Sequence, residues 1–122
     1  MAIDDEASAW VEFCVEAHVF EATERRRWLE VAYARHDFCE KLAREQAYPE
    51  RFVIALDQAL LGLPLTNADF RREADIAGPT ATQDLQRLRR DGWLEQEGGG
   101  RSVRYVAGRK LQDRWSTSFK AR

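Results

Sequence analysis

Between Ala7 and Gln46 the chain carries apolar residues at Trp10, Phe13, Cys14, Ala17, Phe20, Trp28, Val31, Phe38, Cys39 and Leu42. Most of the gaps are three, four or seven, the spacing of one helical face, and no Gly or Pro interrupts them. A helix over this whole stretch would be about 60 Å long at 1.5 Å per residue, too long for a small domain to cover. Its stripe therefore calls for a partner surface. The polar run Thr23-Glu24-Arg25-Arg26-Arg27 breaks the stripe, but good helix formers fill it, which favours continuity over a bend. Tyr48-Pro49 ends the arm, because proline excludes its predecessor from helical geometry.

A second helical face, Phe52, Val53, Leu56, Ala59 and Leu60, stops at Gly62. Leu63-Pro64-Leu65 reads as extended chain able to pair at a sheet edge. Thr66 is an N-cap, with Asp69 at the positive end of a short helix that has Phe70 and Ala74 on one face and leaves Arg71, Arg72, Glu73 and Asp75 to water. Ile76-Ala77-Gly78 follows as a turn in which Gly78 supplies backbone freedom, and Pro79 opens the next helix. That helix, Pro79 to Asp91, has an inward stripe of Ala81, Leu85 and Leu88 and an outer face of Thr80, Gln83, Gln86, Arg87 and Arg90. Hydroxyls, amides and guanidiniums are the groups that hydrogen-bond base edges and phosphates. Asp91-Gly92 is the C-cap. Residues 93–97 and 102–106 then form two strands around Gly98-Gly99-Gly100, with Arg101 and Arg104 beside the tip. Residues 108–119 close the chain as a helix with Leu111, Trp115 and Phe119 at intervals of four.

Charge changes the picture. The net charge of −2 is unpromising for a nucleic-acid binder until it is divided. Residues 1–65 hold 13 acidic and 7 basic side chains, a net of −6, while residues 66–122 hold 8 and 12, a net of +4. A basic module on an acidic arm is expected where the module alone faces phosphate. A net of +4 is modest, so one copy would bind weakly and be salt-sensitive; dimerisation or a larger parent protein would be needed.

Candidate chemistry adds little. Two cysteines without a close-spaced pair make neither a disulfide framework nor a zinc finger, in keeping with a reducing, cytoplasmic setting. If the arm folded into a hairpin near residue 26, Cys14 and His18 would face His36 and Cys39 as a Cys2His2 set; in a continuous helix they are turns apart. Asp4-Asp5 sits at a frayed end, neither histidine has a nearby nucleophile, and the triglycine does not precede a helix as a phosphate loop does. No catalytic residue, metal or cofactor is expected, nor any membrane span.

The run Leu65-Thr66, Ile76 to Leu85, Leu88, Asp91-Gly92-Trp93-Leu94 and Gly98 to Tyr105 resembles the winged-helix domain at the C-terminus of many Fic-family proteins. Trp10 to Val15 and the charged helix after it resemble the segment joining their catalytic core to that domain. MarR-like regulators share a similar wing and helix pattern. Fic enzymes transfer AMP or related groups through a His-Pro-Phe-x-x-Gly-Asn-Gly-Arg type motif. Here neither histidine precedes proline and no Gly-Asn-Gly occurs, so the resemblance implies the accessory domain without the transferase.

The expectation is a mainly α winged helix-turn-helix, a three-helix core plus a two-stranded wing, with a long N-terminal helical arm and a short C-terminal helix. Residues 1–48 would be the arm, 49–107 the winged helix and 108–122 the closing helix and tail. Double-stranded DNA is the expected partner, met by Thr80, Gln83, Gln86, Arg87, Arg90, Arg101 and Arg104, with homodimerisation through the arm. The alternative is a winged-helix protein-interaction or linker module. That reading gains if Asp84 and Gln86 pair with the protein itself and leave little positive surface.

Overall fold

The computed structural model describes the backbone of residues 2–121 and the side chains of residues 22–121. Helices α1 (Ala2–Glu45), α2 (Phe52–Leu60), α3 (Asn67–Ala74) and α4 (Gly78–Arg90) precede strand β1 (Leu94–Glu97). Strand β2 (Arg104–Ala107) and helix α5 (Arg109–Lys120) follow. The chain divides into two compact units, residues 1–33 and 34–122. The first is helical over its described backbone, and α1 continues unbroken through Thr23–Arg27. The stripe residues Trp10, Phe13, Cys14, Ala17 and Phe20, and His18 with them, lie outside the described side chains. Further along, Trp28 is 67% and Tyr33 73% exposed.

The second unit is a winged helix-turn-helix. Its core joins Phe38, Cys39 and Leu42 of α1, Phe52 and Leu56 of α2, Phe70 of α3, Leu85 and Leu88 of α4, Trp93 and Leu94, Tyr105 of β2 and Leu111 of α5. Burying a side chain of this size is worth about 1.5–3 kcal/mol. The end of α1 is thus part of this core. Its Phe38–Leu42 face covers the apolar side of α2, and Phe38 meets Trp115 of α5 with ring centroids 5.4 Å apart. Arg35 Nε donates to Asp57 Oδ1 at 2.6 Å and fastens α1 to α2.

Local chemistry accounts for the element ends. Helix α1 stops with Ala47 in the left-handed region at φ 56°, its N–H donating to Arg44 O at 3.1 Å and that of Tyr48 to Ala43 O at 2.8 Å. Helix α3 begins on a capping box: Thr66 Oγ1 accepts from the Asp69 N–H at 3.1 Å while the Asp69 carboxylate accepts from the Thr66 N–H at 3.5 Å. The helix-turn-helix bend departs from the sequence expectation. Gly78 has an ordinary negative φ and opens α4, and the left-handed residue is Asp75 at φ 54°. A short polar side chain tolerates that conformation, so an aspartate takes the place expected of glycine. Helix α4 ends on Gly92 at φ 86°, with the Gly92 N–H on Arg89 O and the Trp93 N–H on Leu88 O, each 3.0 Å, a Schellman closure.

The wing is the antiparallel pair β1–β2 in the register Leu94↔Ala107 to Glu97↔Arg104, joined through a turn of 3-10 helix at Gly100–Ser102. Leu65 adds the expected edge contact as an isolated antiparallel bridge to Tyr105.

Candidate nucleic-acid interface

Helix α4 lies with Ala81, Leu85 and Leu88 fully buried, which turns the opposite face outward. Gln83 and Arg90 are seven residues apart, about 20° from the same heading at 100° per residue, and both are exposed. Thr80 is half-buried at the first turn. Arg101 stands exposed in the turn of the wing. Arg104 is exposed on β2, its Nε donating to Glu97 Oε2 at 3.3 Å across the strand pair. Ion pairs this exposed contribute little, so Arg104 remains available to a phosphate.

Two of the expected contact residues hold internal partners. Gln86 Nε2 donates to the Tyr105 hydroxyl at 2.9 Å and its Oε1 accepts from Arg89 Nη1 at 3.4 Å, which ties α4 to the wing. The Arg87 guanidinium lies over the rings of Tyr48 and Phe52, 4.9 and 5.7 Å from their centroids. Asp84 is buried and accepts both arms of the Arg51 fork, Nε on Oδ2 at 2.6 Å and Nη2 on Oδ1 at 3.0 Å. That bond raises the Arg51 pKa further and keeps the guanidinium charged. Tyr48 donates its hydroxyl proton to Asp91. Burial first, then that bond, pushes its pKa up to about 12.

Other residues join the outer face. Arg89 is exposed beside Gln86. Arg71 and Arg72, read in the sequence as merely solvated, are exposed on α3, and Arg71 reaches α4: a Cβ at Gly78 would lie 3.5 Å from its Nη1. Asn67 Nδ2 donates to Thr82 Oγ1 at 2.7 Å and fixes the start of α3 to that of α4. The signal available in the sequence was the basic pair Arg71-Arg72 just before the turn, whose direction depends on how the two helices cross.

His36 Nε2 lies 2.9 Å from Glu40 Oε1, and Cys39 is fully buried, its thiol pushed up to about 12 chiefly by desolvation. Among the described residues no group of His, Cys, Asp and Glu is placed to hold a metal, and no helix is long and apolar enough to cross a membrane.

No protein-family model matches the chain, and no curated protein matches its sequence. Solved structures do match. The transcriptional regulator Tm0710 from Thermotoga maritima is 20% identical, with 83% of this chain and 70% of that one covered and a TM-score of 0.55. AbfR of Staphylococcus epidermidis is 19% identical, with 99% and 77% covered and a TM-score of 0.52. AbfR in its disulfide form is 22% identical, with 76% and 66% covered and a TM-score of 0.52. At such identities the likeness is one of fold: a mainly helical winged helix-turn-helix carrying a two-stranded wing.

Proposed function

We propose that this chain binds double-stranded DNA as a winged-helix transcriptional regulator. Helix α4 would enter the major groove, with Gln83 and Arg90 toward base edges and Thr80 near a phosphate, while Arg101 and Arg104 of the wing meet the backbone or the minor groove. Gln86 and Arg87 would exchange internal partners for DNA. The observation that carries the reading is the outer face of α4, polar and exposed, with Arg71 of α3 reaching its first turn and Arg101 and Arg104 exposed on the wing. A fold shared with a protein described as a transcriptional regulator supports it. The reading includes a homodimer formed through the arm, where Trp28 and Tyr33 expose aromatic surface, a cytoplasmic location and no catalytic role. The narrower likeness to the C-terminal module of Fic-family proteins is supported by sequence motifs alone.

One observation favours the protein-interaction reading: Asp84 and Gln86 both pair within the chain. Exposed Arg89, Arg90 and Arg101 weigh against it, because they leave cationic surface around α4. Selection from random duplex DNA separates the two. Enrichment of an inverted repeat with half-sites about one helical turn apart supports DNA binding and the dimer together. Failure to enrich any sequence, with no salt-sensitive retardation of duplex DNA at low ionic strength, would overturn the proposal. Light scattering tests the dimer separately: Trp28→Glu is expected to shift it toward monomer, and a wild-type monomer at micromolar concentration would exclude it.

A further inference from the structure

Asp84, Arg87 and Asp91 lie three and four residues apart, so they form one line along a flank of α4. All three fasten to a single short segment, residues 48–52, which joins α1 to the first residue of α2. Asp84 takes the Arg51 fork, Arg87 stacks on Tyr48 and Phe52, and Asp91 accepts from the Tyr48 hydroxyl. The inward stripe beside them is Ala81, Leu85 and Leu88, fully buried but apolar, so its contacts carry no direction of their own, and the fine rotation of α4 rests on its polar anchors: Gln86 on Tyr105, Thr82 on Asn67, and this flank. A rotation of about 20° would carry a side-chain tip on the helix surface through about 2 Å, beyond the ~0.5 Å tolerance of a functional contact. A two-pronged guanidinium–carboxylate pair is directional, and with Asp84 side chain only 8% exposed against 35% for Arg51 it is shielded from water at the acidic end.

Resting on the DNA-binding reading above, we infer that Arg51, through Asp84, sets the rotation of α4 about its axis and is a positioning residue of the interface. Arg51 touches no base in this arrangement. Its effect passes through the carboxylate to Gln83 and Arg90 on the outer face. Junction residues 48–52 also follow directly on the end of α1, since the Tyr48 N–H closes that helix on Ala43 O. The segment that orients α4 is therefore held by the helix that carries the arm.

The test compares wild type with Arg51→Met and Arg51→Lys, each confirmed folded at the assay temperature by circular dichroism. After selection with the wild type, affinity is measured for the enriched duplex and for a shuffled duplex of the same composition. Arg51→Met is expected to weaken the enriched duplex about tenfold while leaving the shuffled one within about twofold, because phosphate contacts survive a misaimed helix. Arg51→Lys keeps the charge but not the fork and is expected to lose most of the same discrimination. Should Arg51→Met fail to fold, the lysine variant alone decides. Discrimination retained in the variant, or both affinities falling together, overturns the positioning role and leaves DNA binding standing. A wild type that enriches nothing overturns the DNA reading, and this inference with it.

Discussion

Gly108 lies with its Cα against the carbonyl of Gly92: a Cβ at 108 would stand 2.6 Å from Gly92 O and 3.0 Å from Trp93 O. The Gly108 N–H donates to Trp93 O at 2.8 Å, so the strand leaving the wing is drawn onto the C-cap of α4. Neither neighbour is a flexible side chain that can swing aside. Gly108→Ala is expected to destabilise the protein by about 2–3 kcal/mol, since overpacking here must displace backbone. Chemical denaturation with an unchanged slope would check it. A loss below 1 kcal/mol would mean that the wing and α4 separate easily.

Ala47 holds the left-handed position that closes α1, where an L side chain costs about 1–2 kcal/mol and glycine costs only its backbone entropy. The methyl is exposed, so its removal leaves no cavity. Ala47→Gly is expected to raise stability by about 0.5–1 kcal/mol, read as a higher thermal midpoint. A lower midpoint would show that the closure is not formed.

Alkaline stability follows from Cys39 and Tyr48. Both pKa values are raised in the folded state, from 9.0 and 10.0 to about 12, chiefly by burial. The folded chain therefore keeps protons that the unfolded chain releases. Their stabilisation is complete below pH 9 and is lost as pH climbs from 9 toward 12. Urea midpoints measured across that range should fall, and Tyr48→Phe should fall less steeply, having no proton to lose. In a Cys14→Ala background, Cys39 should resist thiol reagents in the native state and react on unfolding. Rapid native labelling would contradict its burial.

The wing and α4 are expected to fail differently. Arg101→Ala should weaken binding to all duplexes alike and flatten the salt dependence by about one phosphate. Gln83→Ala should cost about 1–3 kcal/mol on the preferred duplex only. Retardation assays over a range of salt concentrations, on preferred and shuffled duplexes, distinguish the two patterns. Equal losses on both duplexes for Gln83→Ala would remove it from base readout.

Much of this arrangement is written in the chain itself. Thr66 and Asp69 specify the start of α3, Gly92 the end of α4, and the Ala81, Leu85 and Leu88 stripe the side of α4 that is buried, because caps and periodicity act within a few residues. The wing strands were legible for the same reason, at residues 94–97 and 104–107 against the expected 93–97 and 102–106, with Ser102 drawn into the turn instead, and Leu65 was legible as extended chain. What no local pattern contains is which distant group meets a polar side chain. Arg51 and Asp84 are 33 residues apart and Gln86 and Tyr105 are 19 apart, and each pair forms only once α2, α4 and the wing have packed. The outward face of α4 was set by sequence periodicity, whereas the partners that Gln86 and the still exposed Arg87 take within the chain were decided by the tertiary structure. Phe38 and Leu42 follow the same rule: helical spacing runs on through them, and only packing against α2 and Trp115 brings them into the core.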